Sequence, residues 1–201
     1  MLGAAAALLG SRLVREVTGE PIRIGRIVEL EAYGGPDDRA SHARAGLTVR
    51  TAPMFGPPGR AYVYLVYGMY HCLNIVTGPD GDAAAVLVRA LEPVAGIELM
   101  RAARAAGIRP GRALSGVADA RLAAGPGLLC QAMGVGRWAN GLDLCNPTAG
   151  LRLERAELTD RSTNPVWSRR IGIDHAGEPW TSVAWRLADA GSPSLSAPAG
   201  R

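Results

Sequence analysis

No lysine occurs anywhere in the 201-residue chain, and its 22 basic residues are all arginine. Chemistry that runs through a lysine Schiff base is thereby excluded. The three cysteines, Cys72, Cys130 and Cys145, form no CxxC pair and lack zinc-site spacing, so they read as buried free thiols in a reducing compartment. No apolar run approaches the ~18 residues of a membrane span. The opening MLGAAAALLG has no basic residue ahead of its short apolar run and reads as a helix, not a secretory signal. A cytoplasmic protein with no membrane segment is expected. Phenylalanine is nearly absent, with Phe55 alone. All five tyrosines fall between Tyr33 and Tyr70, and the four tryptophans lie in the second half. The net charge of +4 and pI near 9.3 lean toward an anionic partner.

Residues 3–10 suit a short helix stopped by Gly10. RLVREV and IRIGRIVELEAY are strand-like, on either side of a Gly-Glu-Pro turn. From Gly34 to Gly59 the chain is rich in Gly, Pro and Arg without a period, a long loop of the kind that carries function or is disordered. YVYLVYGMYHCLNI (62–75) predicts a hairpin with Gly68 and Met69 at its tip, followed by the strand AAAVLVRAL. Helices are expected from Pro93 to Gly107, over Val117–Ala124 and over Leu128–Met133. Short strands are expected in LRLERAEL, RRIGI and TSVAWRLA, and a frayed tail from about 190 to 201. With no repeat and no polar linker, the chain reads as one α+β domain, 1–201, with a mostly antiparallel sheet.

Alternation along RIVELEAY places Val28, Leu30 and Ala32 on one face and Glu29, Glu31 and Tyr33 on the other. Taken alone, that polar face fits a solvated edge. Tyr62 and Tyr64 share one face of the hairpin, and packing against the core explains each as well as stacking does. The tip is harder to explain, because Tyr67-Gly68-Met69-Tyr70 replaces the usual Asn, Asp, Ser or Pro with an aromatic, apolar point. Aromatic plates, a carboxylate and an apolar wedge are the parts needed to extrude a nucleobase and act on it.

The motifs EAY, ASHARAGLT, YVYLVYGMY and VLVRALEP, continued by AAGPGLLCQAMGV, RRIGI and WRL…GSPSLS, resemble the alkyladenine (3-methyladenine) DNA glycosylase family over nearly the whole chain. The resemblance implies a single mixed α/β domain around a curved, mainly antiparallel sheet, with flanking helices and a protruding hairpin. It further implies a monomeric base-excision repair enzyme that flips damaged purines out of double-stranded DNA and hydrolyses the N-glycosidic bond without a cofactor or metal. Substrates would be alkylated or deaminated purines such as 3-methyladenine, 7-methylguanine, hypoxanthine and ethenoadenine, in no order fixed by the motifs. Glu31 then matches the base that activates water, and Arg89 the residue that helps hold that water. Tyr33, His42 and Tyr64 match the walls around the flipped base, and Asn74 the group that crowds guanine's 2-amino substituent. Tyr67 matches the side chain inserted into the gap in the duplex, with Met69 beside it. Glu29 is expected to face solvent, and His71 and His175 to be structural. Two departures bear on lesion preference: Thr48-Val49-Arg50-Thr51 where the family often has Arg-Asn after the threonine, and Tyr70 where bacterial relatives often carry His.

With no lysine, only the amino terminus could supply the amine that strand cleavage needs, and an enzyme of this kind is expected to leave an intact abasic site. Two rivals use some of the same parts. A non-catalytic lesion binder needs the wedge and arginines but not Glu31, and a hydrolase of free nucleosides has no use for an apolar hairpin tip.

Overall fold

The computed structural model describes residues 1–107, 114–155 and 164–200. The elements run α1 (Leu2–Leu8), β1 (Arg12–Arg15), β2 (Arg23–Tyr33), β3 (Ala61–Val66), β4 (Tyr70–Val76), β5 (Ala85–Ala95), α2 (Ile97–Ala106), α3 (Pro126–Met133), β6 (Leu151–Glu154), β7 (Pro165–Ser168) and β8 (Arg186–Asp189). The strands form one curved antiparallel sheet in the order β3-β4-β5-β2-β1-β6, with β8 joining β2 to β7. An α+β architecture is therefore observed.

Sheet alternation separates a packed face from a polar one. On β3, β4 and β5 the residues Val63, Leu73, Ile75, Val86 and Val88 enter the main core with Leu30 of β2. Against them pack Ala5 of α1, Met100 of α2, and Leu129 and Met133 of α3. Each such leucine contributes roughly 1.5–3 kcal/mol through burial. The opposite face carries the site.

β2 departs from strict alternation. Its pairing with β5 slips between Ile27 and Glu29 and again between Glu29 and Leu30, the signature of a bulge. Ile27 and Leu30 consequently both reach the main core, whereas Val28 joins Ala90, Ala188 and Leu195 in a separate cluster. The expected grouping of Val28 with Leu30 is thus wrong, but Glu29 and Glu31 do lie together.

Other differences have local causes. The strand β5 continues through Pro93, which lies opposite Gly25 beside a register slip where no ladder bond is needed. Helix α2 starts only at Ile97, after Gly96 turns the chain at φ 71°. A Cβ at Gly96 would lie 2.4 Å from the Ile22 carbonyl oxygen. Val117–Ala124 holds one 3₁₀ turn, Asp119–Arg121, in place of a helix. The strand near RRIGI is the preceding Pro165–Ser168, and RRIGI itself is a loop. The last three residues of LRLERAEL lie outside the described residues. The segment after β8 is tied down through residue 198, not frayed: Ser192 Oγ donates to Glu92 (3.0 Å), and Arg121 reaches the Leu195 carbonyl (2.6 Å). Cys72 and Cys130 are buried as expected, but Cys145 is exposed.

Candidate active site

A single row of side chains crosses the sheet. Tyr62 pairs with Asn74, Asn74 with Leu87, and Leu87 with Glu31, in register across β3, β4, β5 and β2. Because all four strands are antiparallel neighbours, these residues and those two places along each strand share the polar face. A cavity of about 440 Å³ opens over it, lined by Tyr33, His42, Tyr62, Tyr64, Asn74 and Arg89 among others. The structure thus gathers Tyr33, His42, Tyr64, Asn74 and Arg89 around one cavity, with Glu31 bound beneath.

Glu31 is fully buried. Its Oε1 accepts from the Ile171 N–H (2.7 Å), and its Oε2 from the Tyr33 hydroxyl (2.9 Å), with Arg89 Nη1 at 3.2 Å. A carboxylate offers about four acceptor positions, so one remains. Ile171, Tyr33 and Arg89 all line the cavity and cover Glu31, which does not line it itself.

Glu29 is also fully buried, contrary to the expected solvent exposure. The bulge turns it inward, where Oε1 accepts from Arg89 Nε (2.9 Å), Arg186 Nε (2.8 Å) and Ser196 Oγ (2.7 Å), and Oε2 from the Ser196 N–H (2.6 Å). Three of these donors crowd Oε1 and one reaches Oε2, and of the residues supplying them only Arg89 lines the cavity. Burial works to raise its pKa, but Arg89, Ser196 and Arg186 together outweigh burial and hold it below the usual carboxylate range. Burial similarly opposes the charge on Arg89, and Glu31 and Glu29 overcome it and raise its pKa.

Burial, and then the neighbouring Glu31 charge, keep the Tyr33 phenol well above its ordinary pKa, so it remains a donor. Its ring has the Arg170 guanidinium 4.7 Å from its centroid. Arg170 is buried and pairs through both terminal nitrogens with Asp38 (2.6 and 2.9 Å), and it also donates to the Ala32 carbonyl. This clamp fastens the long loop after β2 to the segment carrying Ile171. The loop is ordered by two 3₁₀ turns, His42–Ala45 and Ala52–Phe55.

The first of those turns is capped by Ser41, whose Oγ accepts from the Ala43 N–H. It delivers His42 to the cavity, with Nδ1 2.9 Å from the Tyr62 hydroxyl and the ring edge-on to Tyr64 at 4.5 Å. Burial, then the Arg50 charge, lower the His42 pKa, so the ring is neutral at neutral pH. Burial raises Tyr64, with Cys72 adding to it, and Cys72, opposite in the ladder, is pushed up to about 11 by burial. Asn74 spends one amide proton on the Tyr62 carbonyl (3.0 Å) and is held rigid at the cavity wall.

The hairpin β3–β4 turns through Tyr67, Gly68 and Met69. Tyr67 is 88% exposed and Met69 51%. Tyr67 holds φ 52°, a left-handed conformation unfavourable for an aromatic residue. Helix α3 braces the tip end of the hairpin so closely that a Cβ at Gly127 would lie 2.8 Å from the Tyr70 ring. Tyr67 also lines the cavity, and so does His175, which sequence reading had treated as structural.

Ile171, Arg170, Asp38, Arg186 and Ser196 were missed from sequence. Only the RRIGI and GSPSLS motifs marked their neighbourhoods. Among the described residues no group of three or more His, Cys, Asp or Glu side chains is placed to hold a metal, and no helix is long and apolar enough to cross a membrane.

The family model for methylpurine-DNA glycosylase matches residues 1–193. The human DNA-3-methyladenine glycosylase is 44% identical over 199 residues, covering 92% of this chain and 65% of that protein. A protein of Anaeromyxobacter dehalogenans strain 2CP-1, provisionally named a 3-methyladenine DNA glycosylase, is 46% identical over 195 residues, 96% of this chain and 80% of its own length. One from Methanocella arvoryzae, named in the same provisional way, is 44% identical over 97% of this chain and 90% of its own length. With a match across almost its whole length and relatives this similar, the chain belongs to the methylpurine-DNA glycosylase family.

Proposed function

We propose that this member of the DNA glycosylase family excises alkylated or deaminated purines, 3-methyladenine among them, from double-stranded DNA. The damaged nucleotide leaves the helix, enters the cavity between Tyr33, His42 and Tyr64, and loses its base to water activated by Glu31. The supporting observation is the contrast between the two carboxylates. Glu29 is held by Arg89, Arg186 and Ser196, of which only Arg89 lines the cavity, whereas the three residues that hold Glu31, namely Ile171, Tyr33 and Arg89, all line it.

A water hydrogen-bonded there attacks the sugar carbon as Glu31 takes its proton. The carboxylate is covered in this conformation, so the reaction needs a water-sized opening between Arg89 and Ile171 in the DNA complex. A purine alkylated at N3 or N7 is cationic and departs without a general acid, unlike the sugar oxygen of an O-glycoside, whereas a neutral deaminated purine takes up a proton as it leaves. Arg89 lies against Glu31 and holds the attacking water and the adjoining backbone. Asn74, fixed by the Tyr62 carbonyl, rejects guanine by crowding its 2-amino group. Tyr67, with Met69 beside it, fills the gap left in the duplex, a use that accounts for an exposed aromatic held in a strained conformation. The enzyme works as a monomer without a cofactor, in the cytoplasm on chromosomal DNA.

The test is incubation of the purified protein with methylated duplex DNA and quantification of the released bases. Free 3-methyladenine together with uncut abasic strands is the expected result. Binding to the damaged duplex without release of any base would leave a lesion-recognition protein in place of the enzyme.

A further inference from the structure

Arg89 is oriented by more than its partner Glu31. Its Nε donates to Glu29 Oε1 at 2.9 Å and lies 3.3 Å from Ser196 Oγ, and its Nη2 donates to the same hydroxyl at 3.2 Å. That leaves Nη1 facing Glu31 Oε2 at 3.2 Å. All three guanidinium nitrogens are therefore committed, and two of them are held by Ser196, more than a hundred residues along the chain.

Ser196 also fixes Glu29, donating its N–H to Oε2 (2.6 Å) and its hydroxyl to Oε1 (2.7 Å). The segment around it is anchored independently. Arg186 donates to the Ala197 carbonyl (2.7 Å) and the Pro198 carbonyl (3.1 Å), and Leu195 packs with Val28, Ala90 and Ala188. The segment is thus rigid where it meets Arg89, as a group that sets the position of another must be.

We propose that the C-terminal segment 194–198 is a positioning element for base excision, with Ser196 as its working residue. It holds the Arg89 guanidinium in the one rotation that presents Nη1 to Glu31 and prevents a bidentate collapse of Arg89 onto Glu29. Ser196 touches neither substrate nor water; it acts through Arg89 and Glu29. The inference rests on the excision reading above.

Single-turnover excision, lesion-duplex affinity and thermal stability are to be measured for the wild type, Ser196→Ala and Ser196→Thr. Ser196 is partly buried and its hydroxyl joins the buried Glu29–Arg89 network, so its removal costs some stability but leaves the fold formed. Ser196→Ala is expected to slow base release by about 10- to 100-fold, the scale of an ångström-sized misplacement. Its lesion affinity should stay at the wild-type value and its melting temperature should fall by only a few degrees, and Ser196→Thr, which retains the hydroxyl, should recover most of the rate. An unchanged rate in Ser196→Ala overturns the positioning role alone. So does a parallel fall in rate, affinity and stability that threonine fails to rescue, since that marks a purely structural contact. No base release even by the wild type overturns the excision reading, and this inference with it.

Discussion

Two glutamates two residues apart on one strand have opposite assignments, and their donors decide which is which. Replacing Glu29 by Gln leaves Arg89 and Arg186 without their shared carboxylate, and breaking such a buried pair costs about 3–5 kcal/mol. Urea unfolding should register that loss directly. The sign with pH follows from the lowered pKa of Glu29. Its contribution is complete above the unfolded carboxylate value of about 4.3 and is lost as the pH falls through the lower folded value. Wild-type stability should therefore drop on acidification below about pH 4, with a shallower drop in Glu29→Gln. Glu31, Arg89 and the tyrosines were legible in the sequence because compact motifs carry them. Ile171 and Ser196 were not, because they meet their glutamates from 140 and 167 residues away through backbone N–H groups that any residue except proline supplies.

At the scale of elements, the hairpin and the two loops joined by Arg170 and Asp38 surround the cavity. Tyr67 holds a left-handed conformation that costs an L-residue roughly 1–2 kcal/mol. Tyr67→Asn should accordingly unfold at slightly higher urea concentration than the wild type. Its excision from duplex DNA should nevertheless fall by about 10- to 100-fold, because the few kcal/mol needed to hold the helix open go unmet. A variant that keeps full duplex activity would remove the wedge from the account. Asp38→Ala should loosen the loop bearing His42 and lose about 3–5 kcal/mol, since it strands a buried Arg170. The hairpin was readable from alternation alone. The start of α2 was not: Pro93 suits the first turn of a helix, and only the pairing of β5 with the full length of β2 carries the strand past it. The tail was misread for a related reason. GSPSLSAPAGR is polar and rich in small residues, and what orders it is a buried glutamate and Arg186 from the sheet together with Arg121 from a 3₁₀ turn.

At the scale of the whole molecule, one face of a curved sheet is sealed by helices and the other is given over to a cavity and an exposed point. The chain is basic through arginine alone, so lesion binding should weaken linearly in log–log form with salt, by a slope near −0.9 per phosphate neutralised. With no lysine, only the amino terminus could form a Schiff base with the opened sugar: borohydride added during turnover is expected to capture no covalent protein–DNA adduct, and capture of one would contradict hydrolysis by water. The most direct measurement compares single-turnover release of free base from a methylated duplex by the wild type and Glu31→Gln at matched, saturating binding. Loss of a general base predicts a fall on the order of 10²–10⁴-fold with lesion affinity preserved. A variant that releases bases at the wild-type rate would mean that Glu31 is not the base and that the water is activated elsewhere.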